Sequence, residues 1–308
     1  MTPAPIALFV YNRPWHARQT VEALLKNEGA SASDLFIFSD GARGEKDRRD
    51  VDKVREYIRT VKGFKSVTIK EKEANMGLAD SIISGVDEIV GRFGRIIVME
   101  DDHVSSPYFL KFMNEGLGRY ADEMSVASIH GYIYPLGETL PETFFIKGAD
   151  CWGWATWKRA WDIFERDGSK LLKELVERDL AGEFDMDGAA GFYKMLENQV
   201  AGRTDSWAIR WHASAFLKGM LTLYPGRSLI YNIGNDSSGT HGNTTDIYGS
   251  EVSNVPIKIE KIDIAESAAV RDLMAAYHRR SHEIQAVKQN LFKRILNKMR
   301  AFLRKFTR

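Results

Sequence analysis

The stretch RIIVMEDDHVSSPYF, Arg95 to Phe109, sets an apolar run against three consecutive carboxylates. Ile96, Ile97, Val98 and Met99 read as a short buried strand. Glu100, Asp101 and Asp102 follow directly, so the strand ends at a polar edge. Upstream, PIALFVYN (5–12) and DLFIFSDG (34–41) repeat the pattern, and SVTIKEKE (66–73) reads as a further strand. Helical periods lie between them. Val21, Leu24 and Leu25 share one face, as do Val51, Val54, Ile58 and Val61, and then Leu78, Ile82, Val86 and Ile89. This alternation predicts an α/β fold, a mostly parallel sheet flanked by helices. Near-continuous apolar strands suit a sheet covered on both faces. Such sheets bind ligands beyond the C-terminal ends of their strands, so YNRP, SDGARG and EDDHVSSP are expected to converge.

Beyond residue 105 the pattern loosens. SPYFLKFMNEGLGRY (106–120) predicts a helix capped by Ser105 or Ser106, with Pro107 in its first turn. SVASIHGYIYP (125–135) and TFFIKG (143–148) read as strands. WATWKRAWDIFERD (154–167) predicts a helix with Trp157, Trp161 and Phe164 on one face. SWAIRWHASAFLKG (206–219) predicts another, LTLYPGRSLIYNIG (221–234) is strand-like, and a Gly/Ser/Thr/Asn-rich loop follows. The last forty or so residues read as helical. The expected division is an α/β domain over 1–262 and a helical extension over 263–308.

The composition excludes several classes. An apolar fraction of 44% argues for a globular chain and against disorder. A net charge of +1 gives no bulk field for nucleic acid. One cysteine, Cys151, rules out an intrachain disulfide framework and a cysteine-rich zinc site, and suits a reducing compartment. The N-terminus has no basic n-region, and no run reaches the roughly 18 apolar residues of a membrane span. A cytoplasmic location is expected.

An acidic tripeptide in a loop is ordinarily a solvated turn. Here the three carboxylates sit where a parallel sheet binds ligands, and three adjacent like charges repel unless a cation joins them. Hard divalent ions, Mn2+ or Mg2+, use one or two carboxylates together with substrate phosphates. The ion would then act as a Lewis acid on a leaving diphosphate.

IIVMEDDHVSSPYFLKFM (96–113) resembles the Glu-Asp-Asp form of the DxD motif in GT-A nucleotide-sugar glycosyltransferases, above all the N-acetylglucosaminyltransferase I family and bacterial relatives. LFVYNRPWHARQTVEALL is similar to that family's opening strand and helix, FIFSDGARG to its second strand, TDSWAIRW to the start of its base-carrying helix, and SSGTHG to a late Ser-His-Gly loop. The likeness covers roughly residues 5 to 245. It implies a GT-A fold and a hexosyltransferase or N-acetylhexosaminyltransferase. In that reading Asp102 holds the metal, Asp101 supports it and Glu100 faces the donor sugar. Arg13 and Asp40 hold the nucleotide of a UDP-sugar, and Asp205 is the catalytic base. There are departures: only Asp205 precedes Ser206 and Trp207 where the family has an acidic pair, and KEANMGLADSI looks more like generic bacterial glycosyltransferases.

Each candidate has a plainer reading. Asp205 is well placed as a helix N-cap. His241 is a loop histidine, although imidazole is a common metal ligand and the resemblance sets it near metal or diphosphate. Four tryptophans fall between residues 152 and 161. Trp157 and Trp161 read as core, whereas Trp152 and Trp154 are candidates to line a sugar pocket. Cys151 reads as a small buried residue, and Arg43 as a solvated loop charge.

From Ile284 onward the chain has no acidic residue. On a helical wheel Leu291, Phe292, Ile295, Leu296, Met299, Phe302, Leu303 and Phe306 form one face; Lys and Arg form the other. That pattern suits a helix lying on an anionic membrane surface, against the plainer alternative of packing on its own core or a second subunit. The expected acceptor is a glycan or lipid-linked oligosaccharide. A homo-oligomer is left open. The rival classes are a nucleotidyltransferase, against which the lack of a glycine-rich phosphate loop counts, and a non-catalytic, membrane-associated nucleotide-sugar binder.

Overall fold

The structure, a computed structural model, describes residues 2–236 and 248–303, with side chains to Ile284 and at Val287. The chain opens as expected: β1 (Ile6–Val10), α1 (Pro14–Leu25), β2 (Asp34–Ser39), α2 (Glu45–Ile58), β3 (Ser66–Glu71), α3 (Leu78–Phe93) and β4 (Arg95–Glu100). There follow β5 (His103–Ser105), α4 (Phe109–Arg119), β6 (Val126–His130), β7 (Thr143–Lys147), β8 (Trp154–Trp157), α5 (Lys158–Trp161) and α6 (Gly168–Glu177). The chain continues through α7 (Ala181–Phe184), α8 (Phe192–Val200), α9 (Trp207–Leu217), β9 (Leu221–Pro225), β10 (Ile230–Asn232) and α10 (Ala268–Leu303).

Among the described residues, eight strands form one sheet in the order β3-β2-β1-β4-β8-β6-β9-β7. β1 runs parallel to β2 and β4, β2 to β3, and β6 to β9. β8 lies antiparallel between β4 and β6, and β7 antiparallel to β9. The result is a mixed α/β fold with a mostly parallel sheet flanked by helices. β1, β6 and β9 are buried throughout, as coverage on both faces demands.

WATW is a strand, not the start of a helix. All four residues are buried, and β8 pairs on both sides. Tryptophan and threonine fit a pleated, covered surface well. The spacing of Trp157, Trp161 and Phe164 imitates one helical face, but Trp157 is the last residue of β8 and α5 covers only Lys158–Trp161. Trp154 then packs against Trp161, Trp207 and Trp211, with ring centroids 5.5 to 5.8 Å apart.

Two helix starts also differ from expectation. α4 begins at Phe109, past Pro107, and Ser106 Oγ accepts from Tyr108 N at 3.2 Å in the turn that leads into it. The distant Asn27 adds a second acceptor, its Oδ1 taking Leu110 N at 2.9 Å. α9 is capped by Ser206, whose hydroxyl accepts from Ile209 N at 3.3 Å, rather than by Asp205.

The first turns of α10 are core. Val270, Met274, Ala275 and Tyr277 are buried against Ile133, Phe144, Ile146, Met186 and Tyr224. Ser267 N donates to Phe145 O at 2.9 Å just ahead of the helix. The Leu291–Phe306 face expected to meet a membrane lies outside the described side chains. No helix among the described residues is long and apolar enough to cross a bilayer.

Candidate active site

Register decides what meets at the sheet's edge. Val10 pairs with Ser39 and Phe9 with Glu100, so Arg13, Asp40 and the acid triplet leave the sheet side by side. β8 is antiparallel, and its first residue, Trp154, pairs with His130 at the end of β6. The loop entering β8 therefore reaches the same edge. These segments border a cleft of about 830 Å³.

The triplet is tied down on both flanks. Thr20 Oγ1 donates to Asp101 O at 2.8 Å, and Ile233 N donates to Asp102 O at 2.9 Å. The short antiparallel pair β5–β10 holds the chain just after it. Arg13 stands at the turn into α1, where Pro14 occupies a first-turn position that needs no backbone donor. Its Nη2 donates to Asp101 and, at 2.8 Å, to Asp102. Burial alone would pull the guanidinium pKa down, but Asp101 and Asp102 hold it above its ordinary value.

One arginine does not neutralise three carboxylates. Burial, reinforced by Asp102 and Asp101, pushes Glu100 up to about 8. Burial also raises Asp101, against the pull of Arg13. Asp101 Oδ2 is buried with no hydrogen-bond partner. His103 is fully buried, and burial holds it at about 4, so it is neutral. Its Nδ1 accepts from Glu100 N at 3.2 Å, which leaves the proton on Nε2, 3.5 Å from Asp102 Oδ1. His103 thereby stands beside Asp102, a placement that appears only once β5 is folded against β10.

The donor set fits a hard divalent cation in chemistry and charge: oxygen donors, a surplus of negative charge and one orphaned carboxylate oxygen. Among the described residues no three acidic, histidine or cysteine groups surround one cation position. The protein's contribution would be one or two carboxylates, the usual number for Mg2+ or Mn2+ completed by phosphates and water. His241 lies outside the described residues.

Asp40 borders the cleft with both oxygens engaged. Oδ1 accepts from Gly41 N and Met76 N, each at 2.9 Å; Oδ2 accepts from Asn75 Nδ2 at 2.9 Å and Gly77 N at 3.0 Å. It therefore pins the turn before α3. The loops meet so closely that a Cβ at Gly41 would stand 2.5 Å from the Ala74 carbonyl carbon. Asp47 accepts from Tyr11 Oη at 2.8 Å and Asn12 Nδ2 at 3.2 Å, fixing the β1 end. Asn75 lies within KEANMGLADSI but was assigned no role in the sequence, and Asp47 carried no motif. Arg43 lines the cleft from an exposed loop.

The other half of the cleft includes Asp205, its side chain 69% exposed and paired with Arg210 at 3.1 Å. Trp152 lines the cleft, but Trp154 does not: Trp154 opens β8 and is wholly buried in the tryptophan cluster, whereas Trp152 stands ahead of the strand in the loop that enters it. Cys151 is half-buried, and burial, then Asp150, raise its thiol pKa well above the ordinary value, which removes it as a nucleophile.

A comparison with protein-family models returns no match, nor does one with curated proteins. Among solved structures the chain is similar to the mannosyltransferase PcManGT from Pyrobaculum calidifontis in complex with GDP-Man and Mn2+, at 11% identity and a TM-score of 0.32 over 44% of this chain and 39% of that one. It is also similar to S. aureus TarS, at 13% identity and 0.31, over 47% and 24%. Each likeness spans less than half of the neighbour's length, and similarity this low identifies no activity.

Proposed function

We propose that the protein is a metal-dependent, inverting glycosyltransferase that moves a sugar from a UDP-sugar to an acceptor hydroxyl on a glycan or lipid-linked oligosaccharide. The observation that carries this reading is the acid triplet. It stands at the C-terminal edge of a mostly parallel sheet, on the border of a cleft large enough for a nucleotide sugar, with one arginine among the described residues paired against three carboxylates.

In this reading Asp102 holds Mn2+ or Mg2+ with Asp101 in support, and the ion supplies Lewis-acid stabilisation of the departing diphosphate. Arg13 keeps the two aspartates in place. Asp40, by fixing the 75–77 turn, shapes the nucleotide end of the cleft. The acceptor oxygen forms a bond to the anomeric carbon as the anomeric carbon–phosphate oxygen bond breaks. The acceptor proton passes to Asp205, and UDP leaves with the bonding pair. The charge pattern after Ile284 supports attachment to an anionic membrane face.

Asp205→Asn tests the reading. Because the side chain is exposed, folding is expected to be unchanged. Transfer is expected to fall by about 10²-fold or more, with UDP affinity retained. Full activity in the variant would remove Asp205 as the base.

A further inference from the structure

Asp150 borders the same cleft, yet nothing above gives it a task. Its side chain is 25% exposed. Oδ1 accepts from Cys151 N at 2.7 Å, and Tyr224 Oη lies 3.4 Å from Oδ2. The nearest group able to carry positive charge is His130, with Nε2 3.6 Å from Oδ2. That histidine is wholly buried, neither ring nitrogen has a hydrogen-bond partner, and burial keeps its pKa low. Among the described residues no lysine or arginine pairs with Asp150. A carboxylate so placed has acceptor capacity that the protein does not use.

Its surroundings are aromatic. Trp152 stands edge-on to Tyr132 at 4.7 Å and to Tyr248 at 5.8 Å between centroids. Tyr132 Oη donates to Tyr248 O at 2.8 Å, bracing the group. Trp152, Tyr134 and Tyr248 are half-buried and line the cleft. The Trp152 ring lies 6.5 Å from that of His103, whose Nε2 is 3.5 Å from Asp102 Oδ1, so this aromatic wall adjoins the acid triplet.

We propose that Asp150 and this wall form a carbohydrate subsite that takes one pyranose unit. Two adjacent hydroxyls donate to the carboxylate, and the apolar C–H face of the ring lies on the aromatic wall around Trp152. Charge-assisted hydrogen bonds from neutral donors, with aromatic faces beside them, are what a polyhydroxylated ring needs and a phosphate does not: a carboxylate repels an anion. The sugar can come from the donor or from the acceptor. The subsite deepens the glycosyl-transfer reading and rests on it for the choice of probes.

Two binding arms are measured by calorimetry and on an oligosaccharide array, with Mn2+ present, for wild type and Asp150→Asn. The first compares UDP with UDP-glucose and UDP-N-acetylglucosamine; the second presents free oligosaccharides. Asparagine keeps the shape and the contact to Cys151 N but removes the charge. The expected result is unchanged UDP affinity and a loss of about tenfold or more in whichever arm contains the subsite's sugar. Loss in the first arm assigns the transferred sugar, and loss in the second the acceptor. Trp152→Leu, which keeps the carboxylate, is expected to lower the same arm and serves if Asp150→Asn does not fold. Carbohydrate affinities untouched by both substitutions, or no carbohydrate bound by wild type, would overturn the subsite. Failure to bind UDP while oligosaccharide binding stays Asp150-dependent would instead overturn glycosyl transfer and leave the subsite standing.

Discussion

Nη2 of Arg13 donates at once to Asp101 and Asp102, residues that lie 88 and 89 positions further along the chain. All three side chains are largely buried, at 15%, 6% and 13% exposure. Removing one partner from such a group leaves uncompensated charge, which typically costs about 3 kcal/mol or more. Arg13→Ala should therefore lower unfolding stability by about that amount in denaturant titrations. Added Mn2+ should recover part of the loss, because a cation replaces the missing charge. An Arg13→Ala protein as stable as wild type would show that the triplet does not need neutralising.

Gly234 reports on the same corner from the other side. A Cβ there would stand 2.1 Å from Asp102 Oδ2 and 3.0 Å from Arg13 Nη1. Gly234→Ala should displace the Asp102 carboxylate without disturbing the sheet. The expectation is a melting temperature lowered by less than in Arg13→Ala, since all the charges remain, and UDP affinity lowered about tenfold, a shift of roughly 1.4 kcal/mol. Wild-type affinity in this variant would mean that Asp102 is not part of the binding corner.

His278 on α10 packs against Tyr134, Phe192 and Tyr277, and burial holds its pKa at about 4. Above pH 6.5 the histidine is neutral folded and unfolded, and contributes nothing to pH dependence. Below that, the unfolded chain takes a proton that the folded state refuses until about pH 4. Stability therefore falls as pH falls, by up to about 1.4 kcal/mol per unit. Glu100, raised to about 8, contributes with opposite sign, so the comparison is with His278→Asn. Between pH 6 and 4.5 wild type should lose stability more steeply than the variant, and parallel curves would contradict a neutral buried His278.

The acid-free segment from Ile284 to Arg308 is the proposed membrane contact. Removing 284–308 spares the buried turn of α10 that carries Val270, Met274 and Tyr277. Transfer to a soluble acceptor should persist while co-sedimentation with anionic liposomes is lost, since each nearby cation adds about 1 kcal/mol to membrane attraction. Undiminished sedimentation of the truncated chain would assign the attachment elsewhere.

β1, β2 and β4 were legible because strands buried on both faces read as apolar runs, and each ended in polar residues that border the cleft; β3, a half-exposed edge strand, is the exception. β8 was not legible, because four residues carry no period and its tryptophans continue at helical spacing into α5. Trp152 and Trp154 could not be separated in sequence; only the pairing of β8 with β4 and β6 decides which one enters the core. Asp40 was legible as a strand-end acid, but its engagement with Asn75, Met76 and Gly77 depends on a turn 35 residues away. Asp150 and His103 carried no signal, since their significance arises from neighbours contributed by other strands.

The central claim is that Asp102 anchors a divalent cation that clasps a nucleoside diphosphate. Calorimetric titration of UDP into wild type and Asp102→Asn, with and without Mn2+, tests it directly. Wild type should bind UDP at least about tenfold more tightly with Mn2+, and the variant should show no such gain. Equal Mn2+ gains in the two proteins would contradict the assignment.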